Sequence, residues 1–447
     1  MTRSSGQLRV VSAAGGVCAT AYLLLAWATH TLPRIPLAVF FGVFGVATGA
    51  TLWTFWKLTQ ELDCMPSVRW VLLWAALFRL IGFYGQPIYE DDFYRYLWDG
   101  RTVALGGNPY LHPPANAFGD DSLPPKFQNI LDRINFPEVP TIYGPVAQAV
   151  FAVAYRMDPG ELWPLKLIFL CADLATLFLL FRLLERKSCI VIYAWNPLLI
   201  KEISFSAHLD ILAVCLLMAA IERFAARKLA FAPALLALAV GSKAIALLFA
   251  PFLLVGSGGK PRIRAGLIFS GTLLLIYAPF LLRGGVEAQG LGVFLQRWEF
   301  NSSAFAILQW ALGDEAGRLV SLGLFATALL WLLRAHWRAA PETIPPGDVL
   351  LALFFLFSPV ANPWYFVAMI PFVTLRPSAW GLTLLSTVFL SYITGLNLGS
   401  TTMPPFNHPA WVRPLEILPV AVAVVWSHRN KLLRKTKHDS TKAGLAG

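Results

Sequence analysis

Apolar residues run along this chain in long unbroken stretches, with neither the alternation of a half-buried strand nor the single stripe of a soluble amphipathic helix. A helix needs about 17 to 25 such residues to cross a hydrocarbon core of about 30 Å. On that measure the chain predicts helical spans at 10–31, 35–58, 69–86, 163–184, 190–206, 208–225, 229–257, 264–283, 317–338, 348–375, 378–397 and 410–427. Two runs, 229–257 and 348–375, exceed one crossing and are interrupted near Gly241 and Ala361, so each reads as two short spans or a re-entrant pair. The run 142–157 is too short to cross and is placed as interfacial or re-entrant. The expected fold is an all-α polytopic membrane protein, one domain over 1–447 with about 11 to 14 transmembrane helices of roughly 20 residues each.

Composition agrees: 57% of residues are hydrophobic and 14% charged, against the roughly 25% charged residues of soluble domains, which excludes a soluble globular enzyme. The net charge of +11 changes the picture only through its placement. Basic residues sit in short connections: Arg3 and Arg9, Lys57 and Arg69, Arg182 with Arg186 and Lys187, Arg223 with Arg227 and Lys228, Lys260 with Arg262 and Arg264, Arg334 to Arg338, and a tail from Arg429 to Lys437 within 428–447. The bias of Lys and Arg toward the cytoplasmic side puts these loops and both termini in the cytoplasm, and nucleic acid is not needed to explain the charge. The first run is longer than a signal-peptide core and lacks a clear small-residue cleavage site, so it is expected to be retained. The five cysteines give no disulfide framework and no CxxC metal site.

With the basic loops inside, Glu90-Asp91-Asp92, His208-Leu209-Asp210, Gly241-Ser242-Lys243, Trp298 to Ser303 and Ser358 to Tyr365 all fall outside. Topology was fixed without reference to these motifs, so their common side implies one extracytoplasmic site. Segment 87–140 is the one long hydrophilic stretch. From Asp92 it carries Phe93, Tyr96, Leu97 and Val103 on one helical face and Asp92, Arg95, Asp99 and Thr102 on another, which predicts an amphipathic helix lying in the membrane interface with its aromatic face down. A second short helix is expected after Pro124-Pro125. Acids at a helix start have an ordinary explanation, since carboxylates cap free N–H groups and meet the positive end of the dipole. Asp92 stands out by sharing the polar face with Arg95, where a carboxylate can serve as general base toward a hydroxyl.

Asp-Asp-Phe-Tyr-Arg-Tyr-Leu-Trp-Asp-Gly-Arg (91–101), Gly-Asn-Pro-Tyr (107–110) and Ile-Asn-Phe-Pro-Glu-Val-Pro-Thr-Ile-Tyr-Gly-Pro (134–145) resemble the bacterial polyprenyl-phosphate-sugar-dependent mannosyltransferases of the GT-C glycosyltransferase superfamily. The likeness continues through Trp195-Asn-Pro, His208-Leu-Asp210, Trp298-Glu-Phe-Asn301, Ser358-Pro359, Trp364-Tyr365 and Leu415-Glu-Ile-Leu-Pro419. Gly144 departs from it, standing where a second proline is expected. The resemblance implies a multi-pass protein of the bacterial inner or plasma membrane, a polyprenyl-phosphate-linked hexose donor with mannose first among the sugars, and an acceptor glycan, lipid or protein. It also implies a catalytic carboxylate on the loop 87–140. That carboxylate maps to Asp92, with Asp91 the second candidate, and transfer would invert the anomeric centre as polyprenyl phosphate leaves.

A departing phosphate needs its charge stabilised, and Arg95, Arg101 and Lys243 are the candidates. Lys243 also reads as a snorkelling lysine, and Arg95 as a salt-bridge partner of Asp92 or Asp99. Glu90, Glu202, His208, Asp210, Asn301, Trp364 and Tyr365 are candidates for substrate contact. His208 and Asp210 share a face only if the turn between their spans is irregular; Trp298, Trp364 and Tyr365 also suit an aromatic belt at the membrane interface. An acid pair could hold a divalent cation, and the sequence leaves the metal open. A transporter or flippase of a lipid-linked sugar is the alternative, given the broken spans; the absence of an inverted repeat and the gathering of charge at one face weigh against it.

Overall fold

Long apolar runs become long helices in the computed structural model, which describes residues 3–60, 63–226, 230–255, 259–339 and 344–444. Arg227 and Lys228 lie outside the described residues, as do the side chains of Arg3, Lys260 and the tail beyond Arg429. From the N-terminus come α1 (Arg3–Thr31), α2 (Leu37–Thr59), α3 (Met65–Tyr84), the loop helices α4 (Asp92–Ala104) and α5 (Pro125–Leu131), then α6 (Pro145–Met157) and α7 (Trp163–Leu183). By length and composition, six described helices can cross a membrane, or seven if the bent pair Pro197–Phe205 and Asp210–Ala225 counts as one span; five shorter apolar helices accompany them. The protein is an all-α polytopic membrane protein. Its helices are apolar outside as well as in: Leu73, Leu80, Leu274, Leu275 and Trp331 are each at least 60% exposed, a surface that suits lipid and not water.

The spans differ from the expected ones in number and regularity. Short helices fill the long runs 229–257 and 348–375, as Ala232–Ser242 with Ala244–Val255 and Gly347–Phe357 with Pro363–Leu375, so the expected interruptions are present. The expected span 190–206 is instead fragmented. Val191–Ala194 ends at Trp195; Asn196 then caps a new start by accepting from the Leu199 amide at 3.2 Å. Pro197 has no N–H to continue the first helix, which is the physical reason for the break.

Basic connections gather at one end of the bundle. The Lys187 amide donates to Asp63 at 2.6 Å, Arg186 to the Thr59 carbonyl at 3.0 Å, and Arg182 pairs with Glu222 at 2.9 Å. At the other end of α7, Lys166 donates to the carbonyls of Gly82, Phe83 and Gly85 at 3.0, 2.8 and 2.5 Å, tying down the C-terminus of α3 just before Glu90. The 21 residues of α7 separate these ends by about 31 Å, one bilayer core. Its final turn of α3 also lies against the segment Ile200–Phe205: a Cβ on Gly82 would come within 2.6 Å of the Ser204 Cβ. Only glycine allows that approach.

Helix α4 forms where the amphipathic pattern places it, yet its aromatic face does not meet lipid. Tyr96 stacks on Phe151 of α6 at 4.7 Å, and Leu97 and Trp98 are buried. The polar face is covered too, for Asp99 is fully buried and accepts from Arg95 at 2.9 Å and from Gln148 of α6 at 3.0 Å. An amphipathic pattern specifies a face to be covered but not the cover, and here α6, too short to cross, supplies it. Gly144 at the head of α6 has its own constraint, since a Cβ there would sit 2.3 Å from the Gly241 carbonyl oxygen. The expected proline would not fit without moving that backbone.

Candidate active site

Left-handed backbone turns surround one cluster of ionisable groups. Tyr89, Phe136, Ala207 and Asn301 are the described non-glycine residues with positive φ, at 59°, 52°, 58° and 52°. Each costs on the order of 1–3 kcal/mol, and such strain gathers at functional sites. Three of them adjoin site residues directly: Tyr89 precedes Glu90, Phe136 follows Asn135, and Ala207 precedes His208.

The deepest part of the cluster rests on the π-helical turn Ile200–Phe205, a widened geometry that recurs at functional positions. The Ser206 amide donates to the Lys201 carbonyl at 3.0 Å and the His208 amide to the Glu202 carbonyl at 2.9 Å, so the chain doubles back at Ala207. The helices on either side meet at 118°. This is the irregular turn that convergence of His208 with Asp210 requires. Lys201, fully buried, donates to both Glu202 oxygens at 3.2 and 3.1 Å and to the Tyr392 hydroxyl at 2.7 Å, and lies 3.5 Å from Glu90 Oε1. The Tyr392 hydroxyl donates onward to Glu202. His208 Nδ1 lies 2.8 Å from Glu202 Oε2, close though not collinear, while Trp364 stacks on the imidazole at 4.6 Å and 9° between planes.

Above this layer lie the loop acids. Asp91 is the N-cap residue of α4 by position, but its side chain caps nothing; Oδ1 accepts from Asn135 Nδ2 at 2.5 Å. The ordinary explanation for an acid at a helix start therefore does not apply to it. Asp92 has its side chain 32% exposed and its Oδ2 3.9 Å from His208 Nε2. Among the described residues its carboxylate accepts no hydrogen bond. Beyond it, Lys243 Nζ lies 2.5 Å from Asp210 Oδ1 and 4.1 Å from the centre of the Tyr365 ring. Burial raises all three loop carboxyls. Glu90 goes well above the usual range against the pull of Lys201; Asp91, with Asp92 adding to burial, rises to about 6; Asp92 rises despite His208 and Lys243.

Thus Glu90, Asp91, Asp92, Glu202, His208, Asp210, Lys243, Trp364 and Tyr365 come together. Arg95 lies beside them on α4, its Nε on Asp99 and its Nη1 on the Val139 carbonyl, both at 2.9 Å, with Nη2 buried and lacking a hydrogen-bond partner. Arg101 is not brought in: nine residues past Asp92, about 13 Å along the helix, its guanidinium packs over Trp98 and Phe127. Asn301 stands one layer back. Phe300 bridges to Val360, and Asn301 donates to Glu416 at 3.0 Å, holding the strand-like stretch that leads into Trp364. Trp298 packs edge-on to Phe136 at 4.5 Å.

Lys201, Tyr392 and Asn135 complete the cluster without having been singled out as site residues. Lys201 had a signal, a cation beside Glu202 inside an apolar run; Tyr392 had none. Among the described residues no three of His, Cys, Asp and Glu converge as metal ligands; the lysines sit between the carboxylates instead.

Compared with known proteins, residues 4–257 match the family model described as alpha-(1->6)-mannopyranosyltransferase, N-terminal domain. That stretch contains every charged group of the cluster from Glu90 to Lys243 and stops before Trp364, Tyr365 and Tyr392. No curated protein and no solved structure matches the chain.

Proposed function

The chain belongs to the alpha-(1->6)-mannopyranosyltransferase family, and on that premise we propose that it moves mannose from a polyprenyl-phosphate-linked donor to an acceptor 6-hydroxyl, inverting the anomeric centre with Asp92 as general base. The observation that carries this reading is the Asp92 carboxylate itself, free of hydrogen bonds among the described residues, one-third exposed and flanked by His208 and Lys243. A primary alcohol is a poor nucleophile until its proton is taken in the transition state. Asp92 takes that proton as the oxygen attacks the anomeric carbon and the bond from that carbon to the phosphate oxygen breaks. An alpha product by inversion requires a beta-linked mannosyl phosphate.

The departing phosphate gains negative charge. Lys243, 20% exposed, and Arg95, with its unpaired Nη2, are the groups suited to meet it. Asp210 then holds Lys243 in place, Glu90 and Glu202 hold Lys201, and Trp364 and Tyr365 form an aromatic floor for sugar or prenyl chain. Segment 87–140 is the catalytic loop. The gathering of basic connections at the opposite end of α7 supports an extracytoplasmic site with both termini cytoplasmic.

The test supplies labelled mannose either as synthetic polyprenyl phosphate mannose or as a nucleotide sugar to purified protein in lipid vesicles with a short mannoside acceptor. Transfer from the lipid-linked donor alone, giving an alpha-(1->6) product, is expected; transfer from the nucleotide sugar alone overturns the reading.

The raised loop carboxyls set the acid limb of the pH profile. A base works only when ionised, and burial raises the Asp92 carboxyl, so kcat/KM is expected to fall with decreasing pH earlier than the carboxylate norm of about 3.9 would give. Initial rates between pH 4.5 and 8 check this. A flat profile down to pH 4.5 contradicts it.

A further inference from the structure

We propose that His208 is a positioning residue that receives the catalytic proton from Asp92, a role that rests on Asp92 being the base. Three contacts define its state. Glu202 Oε2 lies 2.8 Å from Nδ1, near enough to take its proton in a hydrogen bond after a small rotation of the ring, and since an ionised carboxylate only accepts, this contact favours the proton on Nδ1 and leaves the lone pair on Nε2. Nε2 is buried without a hydrogen-bond partner and faces Asp92 Oδ2 at 3.9 Å. Trp364 covers one face of the ring, which fixes its plane and stabilises it when it becomes a cation. The Glu202 charge is in turn held by Lys201 and the Tyr392 hydroxyl, so the partner of Nδ1 is itself fixed.

The proton path balances within one turnover. The acceptor O–H bond breaks and its proton goes to an Asp92 oxygen; the new bond to the anomeric carbon forms while the electron pair of the old one leaves with the phosphate. Asp92 is one-third exposed and can turn through the remaining gap, or use one water, to pass the proton to Nε2. The imidazolium formed lies between Glu202 and Asp92 and releases the proton to solvent after product leaves. Asp92 is thereby ionised again for the next acceptor. Asp91, Asp210 and Lys243 are the other titratable groups nearby; of the whole set, only His208 touches both Glu202 and Asp92.

The test compares wild type with His208→Gln and His208→Ala under the lipid-linked donor assay, following kcat, KM for the donor, the solvent isotope effect and rescue by added imidazole. Both variants should lose about a hundredfold in kcat with donor KM within twofold of wild type, the isotope effect should rise, and imidazole should restore His208→Ala but not His208→Gln. A kcat within threefold of wild type in His208→Gln overturns the relay. So does a loss in His208→Ala that imidazole leaves unchanged while thermal melting falls, which marks the ring as packing only. Failure of wild type itself to use the lipid-linked donor would remove the reading of the site, and the relay with it.

Discussion

Asp92→Asn is expected to lower mannosyl transfer by about two to four orders of magnitude, the range a positioned general base contributes, while the protein melts at the same temperature or higher. The two halves of that expectation come from one fact. Burial raises the Asp92 carboxyl above its ordinary range, His208 and Lys243 offsetting only part of the shift. A folded-state value above the unfolded one means that the fold favours the neutral form, so at neutral pH the ionised side chain works against folding. Asparagine keeps the shape and removes the charge, relieving repulsion from Asp210 and Glu202. A packing residue would show the opposite, a loss of stability with whatever loss of rate followed. Asp91→Asn is the control. Its carboxylate is already engaged by Asn135, so tenfold or less is expected there in initial rate. If Asp91→Asn were inactive and Asp92→Asn near wild type, the base would be Asp91.

The sequence made some of this arrangement legible and hid the rest, for physical reasons. Span length is a one-dimensional property, so α1, α2, α3 and α7 could be read directly. Counting crossings between basic loops puts Glu90 to Asp92 on one expected side with His208, Asp210 and Lys243, and the structure brings these residues together. What cannot be counted is how a broken segment folds back. Lys201 reaches Tyr392, 191 positions away, because a π turn and the left-handed backbone at Ala207 redirect the chain, and neither has a periodicity to read. Arg101 shows the opposite case. It shares a short motif with Arg95, but six residues along a helix put it beyond the cluster, among aromatic rings. The face of α4 is legible in the sequence and its cover is not, since Tyr96 has the same amphipathic signature whether it meets lipid or Phe151.

Arg79→Met is expected to be among the most damaging changes to stability, costing about 3–5 kcal/mol, as loss of one partner from a buried ion pair does. Arg79 and Asp173 are each 1% exposed and joined at two points, Nε to Oδ2 at 2.6 Å and Nη2 to Oδ1 at 3.2 Å. Arg79 Nη1 also donates to the Ala75 and Ala194 carbonyls at 3.1 and 2.8 Å, and Tyr193 donates to Asp173 at 2.7 Å. The pair therefore ties α3 and α7 to the fragment Val191–Ala194 that precedes the π turn. Methionine would fill much of the space but leave the Asp173 carboxyl in an apolar interior with only the Tyr193 hydroxyl as a partner. The damage should come chiefly from that uncompensated carboxyl and not from the lost attraction, and a second substitution separates the two. In Arg79→Met with Asp173→Leu the carboxyl is gone, and most of the stability should return. Thermal melting in a lipid-like detergent, at matched protein-to-detergent ratio, reads the comparison. If the double variant melts as low as the single one, the hydrogen bonds to Ala75 and Ala194 are what hold the break in place. The same double variant should still transfer mannose more slowly than wild type, because the turn carrying Lys201, Glu202 and His208 would then be anchored by packing alone.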